Sequence, residues 1–84
     1  MRTAEGKLKD KVRKLLDEAG AWYWMPVPSG YGRSTLDFIG CYRGRFFAIE
    51  TKAPGGQPTQ RQSIVIEELR GAGAMAAWGI ILRT

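Results

Sequence analysis

The sequence of 84 residues contains no histidine, one cysteine and no apolar run long enough to span a membrane. Without histidine the chain has no imidazole ligand or imidazole base, which excludes Cys2His2 zinc fingers and histidine-dependent nucleases. The single Cys41 cannot form an internal disulfide bond, which fits a reducing cytosol. The N-terminus has no signal-peptide pattern, so we expect a cytoplasmic protein without a membrane partner.

The chain is short and carries an excess of positive charge. We expect residues 1–84 to form a single domain with a small core, and this size favours self-association because a second copy adds buried area. Thirteen lysine and arginine residues against eight aspartate and glutamate residues give a net charge of +5. This balance favours a polyanionic partner such as nucleic acid.

Residues 37–52 contain the strongest structural pattern. Two runs rich in Phe, Ile and Tyr flank Arg43-Gly44, which indicates a β-hairpin with a two-residue turn. In that register Tyr42 faces Arg45 across the two strands. A three-residue loop would break the pairing.

The same register places Asp37 directly opposite Glu50, with Cβ atoms ~5 Å apart. Because strand side chains alternate, Glu50 and Lys52 point to one face of the hairpin and Thr51 to the other. Facing carboxylates repel each other unless one is protonated or a cation lies between them, and Mg²⁺ or Mn²⁺ would remove the conflict. An exposed Glu-x-Lys is more often a surface ion pair, so both interpretations stay open at this point.

The N-terminal segment predicts an amphipathic helix over Ala4–Ala19. Thr3 is a suitable N-cap, and Gly20 can end the helix. The residues expected to face the core are Leu8, Val12, Leu15, Leu16 and Ala19. The lysines that make the helix basic are Lys7, Lys9 and Lys11. Such lysines usually form a solvated face, and phosphate contact is the alternative.

An aromatic strand and a surface loop are expected next. Ala21–Val27 is too aromatic for a loop, and Pro26 places its end at a sheet edge or a bulge. Trp22, Tyr23 and Trp24 could stack on bases, although such residues more often form a core or an interface. The following loop, 28–35, has turn chemistry throughout. Its candidate phosphate contacts are Ser29, Gly30, Arg33 and Ser34.

The C-terminal part predicts a second helix and a fourth strand. Thr59 to Gln62 forms a capping box for a helix that runs to about Arg70. Its expected core residues are Ile64, Val65, Ile66 and Leu69. Ala74–Leu82 is almost continuously apolar, which is typical of an interior strand covered on both faces. The predicted order is therefore αβββαβ, an α/β fold whose mixed sheet has an antiparallel meander and one parallel right-handed crossover.

These features together resemble the PD-(D/E)xK nuclease superfamily, and more closely the virus-type replication-repair nuclease (VRR-NUC) family in its minimal stand-alone form. The resemblance spans nearly the whole chain. One departure is leucine at position 36 instead of the proline of the motif's name, a position that shapes the backbone. The segments that carry the resemblance are Ser29-Gly30, Leu36–Gly40, Gly44–Phe46, Ala48–Lys52, Thr59 with Gln62, and Leu69-Arg70 before Gly73.

The resemblance implies a set of site residues and Mg²⁺ or Mn²⁺ as the cofactor. They are Asp37 and Glu50 as metal-binding carboxylates, the backbone carbonyl of Thr51 as a further ligand, Lys52 to position the attacking water, and Gln62 and Glu5 as further catalytic residues. Gln60 competes with Gln62 for the place of the helix glutamine. Lys7 and Lys11 are candidate nucleic-acid contacts.

The function that the resemblance implies is metal-dependent, structure-specific cleavage of DNA. Stand-alone members of the family resemble Holliday junction resolvases, and the two-fold symmetry of a four-way junction leads us to expect a homodimer. The alternatives are a nuclease of the same fold for flaps, nicks or duplex, a non-catalytic nucleic-acid-binding module, and a structural protein. The small stand-alone form suggests a phage or bacterial origin.

Overall fold

The computed structural model describes residues 3–27 and 35–79 of the chain. Its elements follow the predicted order: α1 (Ala4–Ala19), β1 (Trp22–Trp24), β2 (Phe38–Tyr42), β3 (Arg45–Glu50), α2 (Gln60–Gly71) and β4 (Met75–Trp78). The candidate phosphate contacts Ser29, Gly30, Arg33 and Ser34 lie outside the described residues.

The described helices are also too short and too polar for a bilayer. Neither α1 nor α2 has the length and apolarity needed to cross a membrane.

The four strands form one mixed sheet in the order β1-β2-β3-β4. β1, β2 and β3 are antiparallel neighbours, and β4 pairs in parallel with β3 after the connection through α2. The predicted α/β fold is confirmed, but the prediction that β4 is an interior strand was wrong. Among the described strands β4 lies at the sheet edge, where Ala76 is buried and Trp78 is 39% exposed. Residues 80–82 of the predicted strand lie outside the described residues. An apolar run alone does not distinguish these two environments.

Both helices begin at the predicted capping residues. The side chain of Thr3 accepts a hydrogen bond from the N–H of Gly6, and Gly20 ends α1 in the left-handed conformation. In α2 the Thr59 hydroxyl accepts a hydrogen bond from the N–H of Gln62, and the Gln62 side chain accepts one from the N–H of Thr59. The predicted capping box is therefore present.

α2 covers one face of the sheet. The buried cluster on this face consists of Leu36, Ala48, Ile66 and Ala76, and Ile39, Val65 and Leu69 pack against it. Ile64 was predicted to be buried but is 53% exposed. At about 100° per residue, a position two before Ile66 points to the opposite side of the helix.

α1 packs on the other face of the sheet. Phe38 and Phe47 are buried there, and the Tyr23 hydroxyl donates a hydrogen bond of 2.8 Å to Asp17 of α1. Val12 is the fully buried residue of this helix. Leu15 and Ala19 were predicted to face the core, but both are exposed. Ala19 borders an open apolar cleft instead, because one helix is narrower than a four-stranded sheet.

β1 is shorter than the predicted strand and lies very close to β2. It spans three residues and ends before Pro26. A Cβ atom at Gly40 of β2 would collide with the carbonyl oxygen of Trp22 and lie 2.7 Å from Cζ of Phe47. Only glycine therefore allows β1 to pair at this distance.

Candidate active site

The β2–β3 hairpin has the two-residue turn that its sequence predicts. Arg43 and Gly44 both have positive φ angles, 50° and 78°, as a type I′ turn requires. Tyr42 pairs with Arg45, so the predicted register is confirmed. The turn thereby sets which residues meet at the far end of the two strands.

The far end, where β2 begins and β3 ends, brings three carboxylates together. The last strand pair is Phe38 with Ile49, and Asp37 and Glu50 follow directly beyond it. Glu5 approaches from the first turn of α1, and one oxygen of each of the three carboxylates lies within 4.8 Å of the others. We call Glu5, Asp37 and Glu50 the carboxylate cluster.

Asp37 is held by neighbours on two sides. Its Oδ2 accepts hydrogen bonds from the backbone N–H and the hydroxyl of Thr51, at 3.0 and 2.6 Å. Its Oδ1 lies 3.5 Å from the ammonium nitrogen of Lys9. Thr51 was predicted to point to the opposite face, but its buried side chain reaches Asp37 because β3 ends at Glu50 and the strand alternation ends with it.

Glu50 is a buried acid, with 3% of its surface exposed. Burial, followed by the nearby charge of Asp37, raises the pKa of Glu50 to about 7, while the Lys52 ammonium group acts in the opposite direction. The Nζ atom of Lys52 lies 3.7 Å from Oε2 of Glu50. A cation bound beside Glu50 would act in the same direction as Lys52 and favour the ionised form.

The carboxylate cluster has the donor chemistry of a divalent metal site. Its three side chains offer hard oxygen donors within reach of one ion, which suits Mg²⁺ or Mn²⁺. The raised pKa of Glu50 is consistent with a site whose charge balance includes a cation. The residues present therefore fit the expected metal, and the carbonyl of Thr51 stays a predicted ligand.

Lys9 is a site residue that the sequence analysis missed. It was assigned only to the basic surface of α1, whereas the structure places its ammonium group beside Asp37. The sequence does contain a signal, because Glu5 and Lys9 are four residues apart and share one side of the helix. Once Glu5 is a candidate for the site, Lys9 becomes a candidate as well.

Gln62 has a structural role that is visible in the described contacts. Its Oε1 accepts the N–H of Thr59 at 2.8 Å, which fixes the start of α2. This oxygen is therefore engaged in the capping box. The catalytic role of Gln62 stays a prediction, as does its competition with Gln60, which is exposed at the first position of α2.

A basic cleft lies beside the carboxylate cluster. Its volume is about 730 Å³, and Lys7 and Lys11 of α1 line it together with Lys52, Trp78 and the loop 53–57. We call this the lysine cleft. The structure thus brings both predicted nucleic-acid contacts of α1 to one surface with Lys52. Trp78 had no predicted role, because its strand was expected to lie in the sheet interior.

Comparisons with known proteins identify the fold. No family model matches the chain, and no curated protein matches it. Among solved structures, the chain is similar to one described as a VRR_NUC domain, with a TM-score of 0.77 and 21% sequence identity over 93% of this chain and 86% of that chain. At this identity the similarity shows the fold, so the chain has the fold of a VRR_NUC domain.

Proposed function

On the fold of a VRR_NUC domain, we propose that the chain is a metal-dependent, structure-specific DNA endonuclease. The observation that carries this proposal is the carboxylate cluster with the Lys52 ammonium group 3.7 Å from Glu50. Phosphate repels carboxylates, so a surface that only binds DNA has no use for three of them beside its lysines. A bound cation removes the repulsion between the phosphate and the carboxylates.

The residues that would hold Mg²⁺ or Mn²⁺ are Asp37 and Glu50, with Glu5 and the carbonyl of Thr51 as further donors. When bound, such an ion polarises a phosphate and lowers the pKa of a coordinated water. Thr51 and Lys9 hold the Asp37 carboxylate in one orientation through the contacts described above. Ligands that are already oriented lose less entropy when the ion and substrate bind.

Lys52 would position the attacking water and offset the negative charge that develops on the phosphate. The water gives up one proton to solvent while its oxygen attacks phosphorus opposite the O3′ leaving group. The P–O3′ bond then breaks, which leaves a 5′-phosphate and, after O3′ takes up a proton, a 3′-hydroxyl. Lys7 and Lys11 would contact the backbone of the same DNA, as would the predicted loop residues Ser29, Gly30, Arg33 and Ser34.

We further propose that the active form is a homodimer that cuts four-way DNA junctions. Two cuts related by a two-fold axis need two sites related by the same axis, which a C2 dimer provides. Trp22 and Trp24 of β1 are 65% and 47% exposed, and their rings are in edge-to-face contact at 5.4 Å. Exposed tryptophans of this kind are enriched in protein interfaces, so β1 is the proposed contact between the two copies.

The test is cleavage of a labelled four-way junction beside a flap and a matched duplex, with Mg²⁺, Mn²⁺ or EDTA. Lys52→Ala should lose cleavage, whereas Lys14→Ala, which removes an exposed lysine of α1, should retain it. Paired, symmetric nicks in the junction would support both proposals. Equal cutting of all substrates would contradict the junction proposal, and DNA binding without any cleavage would contradict the nuclease.

A further inference from the structure

The lysine cleft and the carboxylate cluster are neighbours that share Lys52. This lysine lines the cleft and also lies 3.7 Å from Glu50. Trp78 of β4 is paired with Glu50 of β3, and the N–H of Gly79 donates a hydrogen bond of 2.9 Å to the Glu50 carbonyl. A phosphate at the cluster would therefore have its adjoining nucleotide close to the cleft.

The lining of the cleft combines positive charge with apolar surface. Among the described residues that line it, the charged ones are Lys7, Lys11 and Lys52, and none of the others carries a carboxylate. Leu8, Pro54 and the exposed Trp78 contribute apolar surface. Ammonium groups bind phosphate, and an indole ring offers a stacking surface to any base. The volume of about 730 Å³ is that of a small-ligand site.

The loop 53–57 lines one part of the cleft. It contains Gly55 and Gly56, and a Cβ atom at Gly55 would meet no other atom within 4 Å.

We propose that the lysine cleft is a subsite for one unstacked nucleotide next to the cleaved phosphate, with Trp78 stacking on its base. This inference rests on the proposed nuclease function. A base inside a duplex must first be unstacked, which costs free energy, whereas a nucleotide at a branch, gap or strand end is already free of one neighbour. The cleft thus favours branched DNA because it binds the unstacked base next to the cleaved phosphate. Trp78, which stacks on this base, is a specificity-determining residue.

The first experiment measures binding without cleavage. The chain has three tryptophans, so the double variant Trp22→Phe, Trp24→Phe leaves Trp78 as the only one. In EDTA, a short single-stranded oligothymidylate should quench its fluorescence, and the matching abasic strand should bind about tenfold more weakly. Equal affinity for the two strands would overturn the proposal. A fluorescence change that depends on protein concentration alone would assign the cleft to a second copy instead.

The second experiment compares cleavage by Trp78→Ala, Trp78→Phe and the control Phe46→Ala, which removes an exposed aromatic ring of β3 outside the cleft. Trp78→Ala should lower kcat/KM about tenfold for a substrate with an unpaired nucleotide beside the cut, and leave the paired duplex unchanged. Trp78→Phe, which keeps a stacking ring, should retain most of the preference. An equal loss on both substrates, or no loss, would overturn the proposal. If the wild type cleaves nothing, the nuclease proposal fails while the binding experiment still decides the subsite.

Discussion

The two ends of the β2–β3 hairpin are built in opposite ways. At the turn, Phe46 is exposed and Arg43 lies over the ring of Tyr42, with its charge in solvent. At the far end, Glu50 and Thr51 are buried. A folded protein usually buries apolar groups and exposes charges, so the far end reverses the normal arrangement. The turn therefore sets the register of the two strands, whereas the far end contains the buried polar groups of the proposed metal site.

The largest expected effect is at the far end. Asp37→Asn removes one charge of the carboxylate cluster, and we expect cleavage to fall by at least about 100-fold because metal binding weakens. Calorimetry with Mn²⁺ measures the affinity directly. The control is Asp10→Asn, an exposed acid of α1 outside the cluster, which should cleave normally. Wild-type metal affinity in Asp37→Asn would contradict the assignment.

The next largest effect is expected in the middle of the hairpin. Gly40→Ala places a Cβ atom against the Trp22 carbonyl and the Phe47 ring, and should lower the free energy of unfolding by about 3 kcal/mol. Urea denaturation measures this change. Gly71→Ala at the end of α2, where an added Cβ meets nothing within 4 Å, should be neutral or slightly stabilising. Equal stabilities of the two variants would show that β1 does not pack as described.

The buried acid at the far end predicts a pH dependence of stability without metal. Burial raises the pKa of Glu50 from its ordinary value of 4.5 to about 7 in the folded chain, so the folded state binds more protons between these pH values. The free energy of unfolding should therefore fall as pH rises through this window, by up to about 3 kcal/mol.

Urea denaturation in EDTA at about pH 5 and about pH 8 measures the Glu50 contribution as the difference between the wild type and Glu50→Gln. Added Mn²⁺ should stabilise the wild type more at the higher pH, because the ionised carboxylate is the ligand. A wild type and a Glu50→Gln variant with the same pH dependence would show that Glu50 does not titrate in this range.

The smallest effect is expected at the turn. Gly44→Ala forces a Cβ atom into the left-handed conformation and should cost about 1 kcal/mol of unfolding free energy, measured by thermal denaturation. Below the melting temperature its kcat should equal that of the wild type, because the turn does no chemistry. Arg43→Asn is the matched variant and should be tolerated, since asparagine accepts positive φ. A reduced kcat in Gly44→Ala would mean that the two ends are not separable.

Much of this fold could be predicted because its decisive signals are local. Thr3 and Thr59 begin helices through contacts within one turn, and Arg43-Gly44 sets a turn whose register can be counted outward. Counting alone therefore predicted that Asp37 and Glu50 meet. The prediction of an interior position for the fourth strand was wrong because periodicity describes one segment and does not indicate how many strands pair with it.

The missed site residues depend on packing between distant segments. Lys9 reaches Asp37 because α1 lies across the end of the hairpin, and Trp78 lines the lysine cleft because β4 is at the sheet edge. The spacing from Glu5 places Lys9 on the same side of α1, but the contact with Asp37 and the exposure of Trp78 depend on how the elements pack together. Thr51 differs again, since its contact with Asp37 depends on where β3 stops, which is the least predictable property of a strand.

The two-residue turn has a consequence for the kinds of mutation that this protein can accept. Exposed turns usually tolerate insertions and deletions well. Here one added residue in the turn would slip the pairing of β2 with β3 by one position and move Asp37 away from Glu50. The turn at residues 43–44 should therefore accept many substitutions but no change in length. The length of this surface loop determines the distance between two carboxylates that are remote from it.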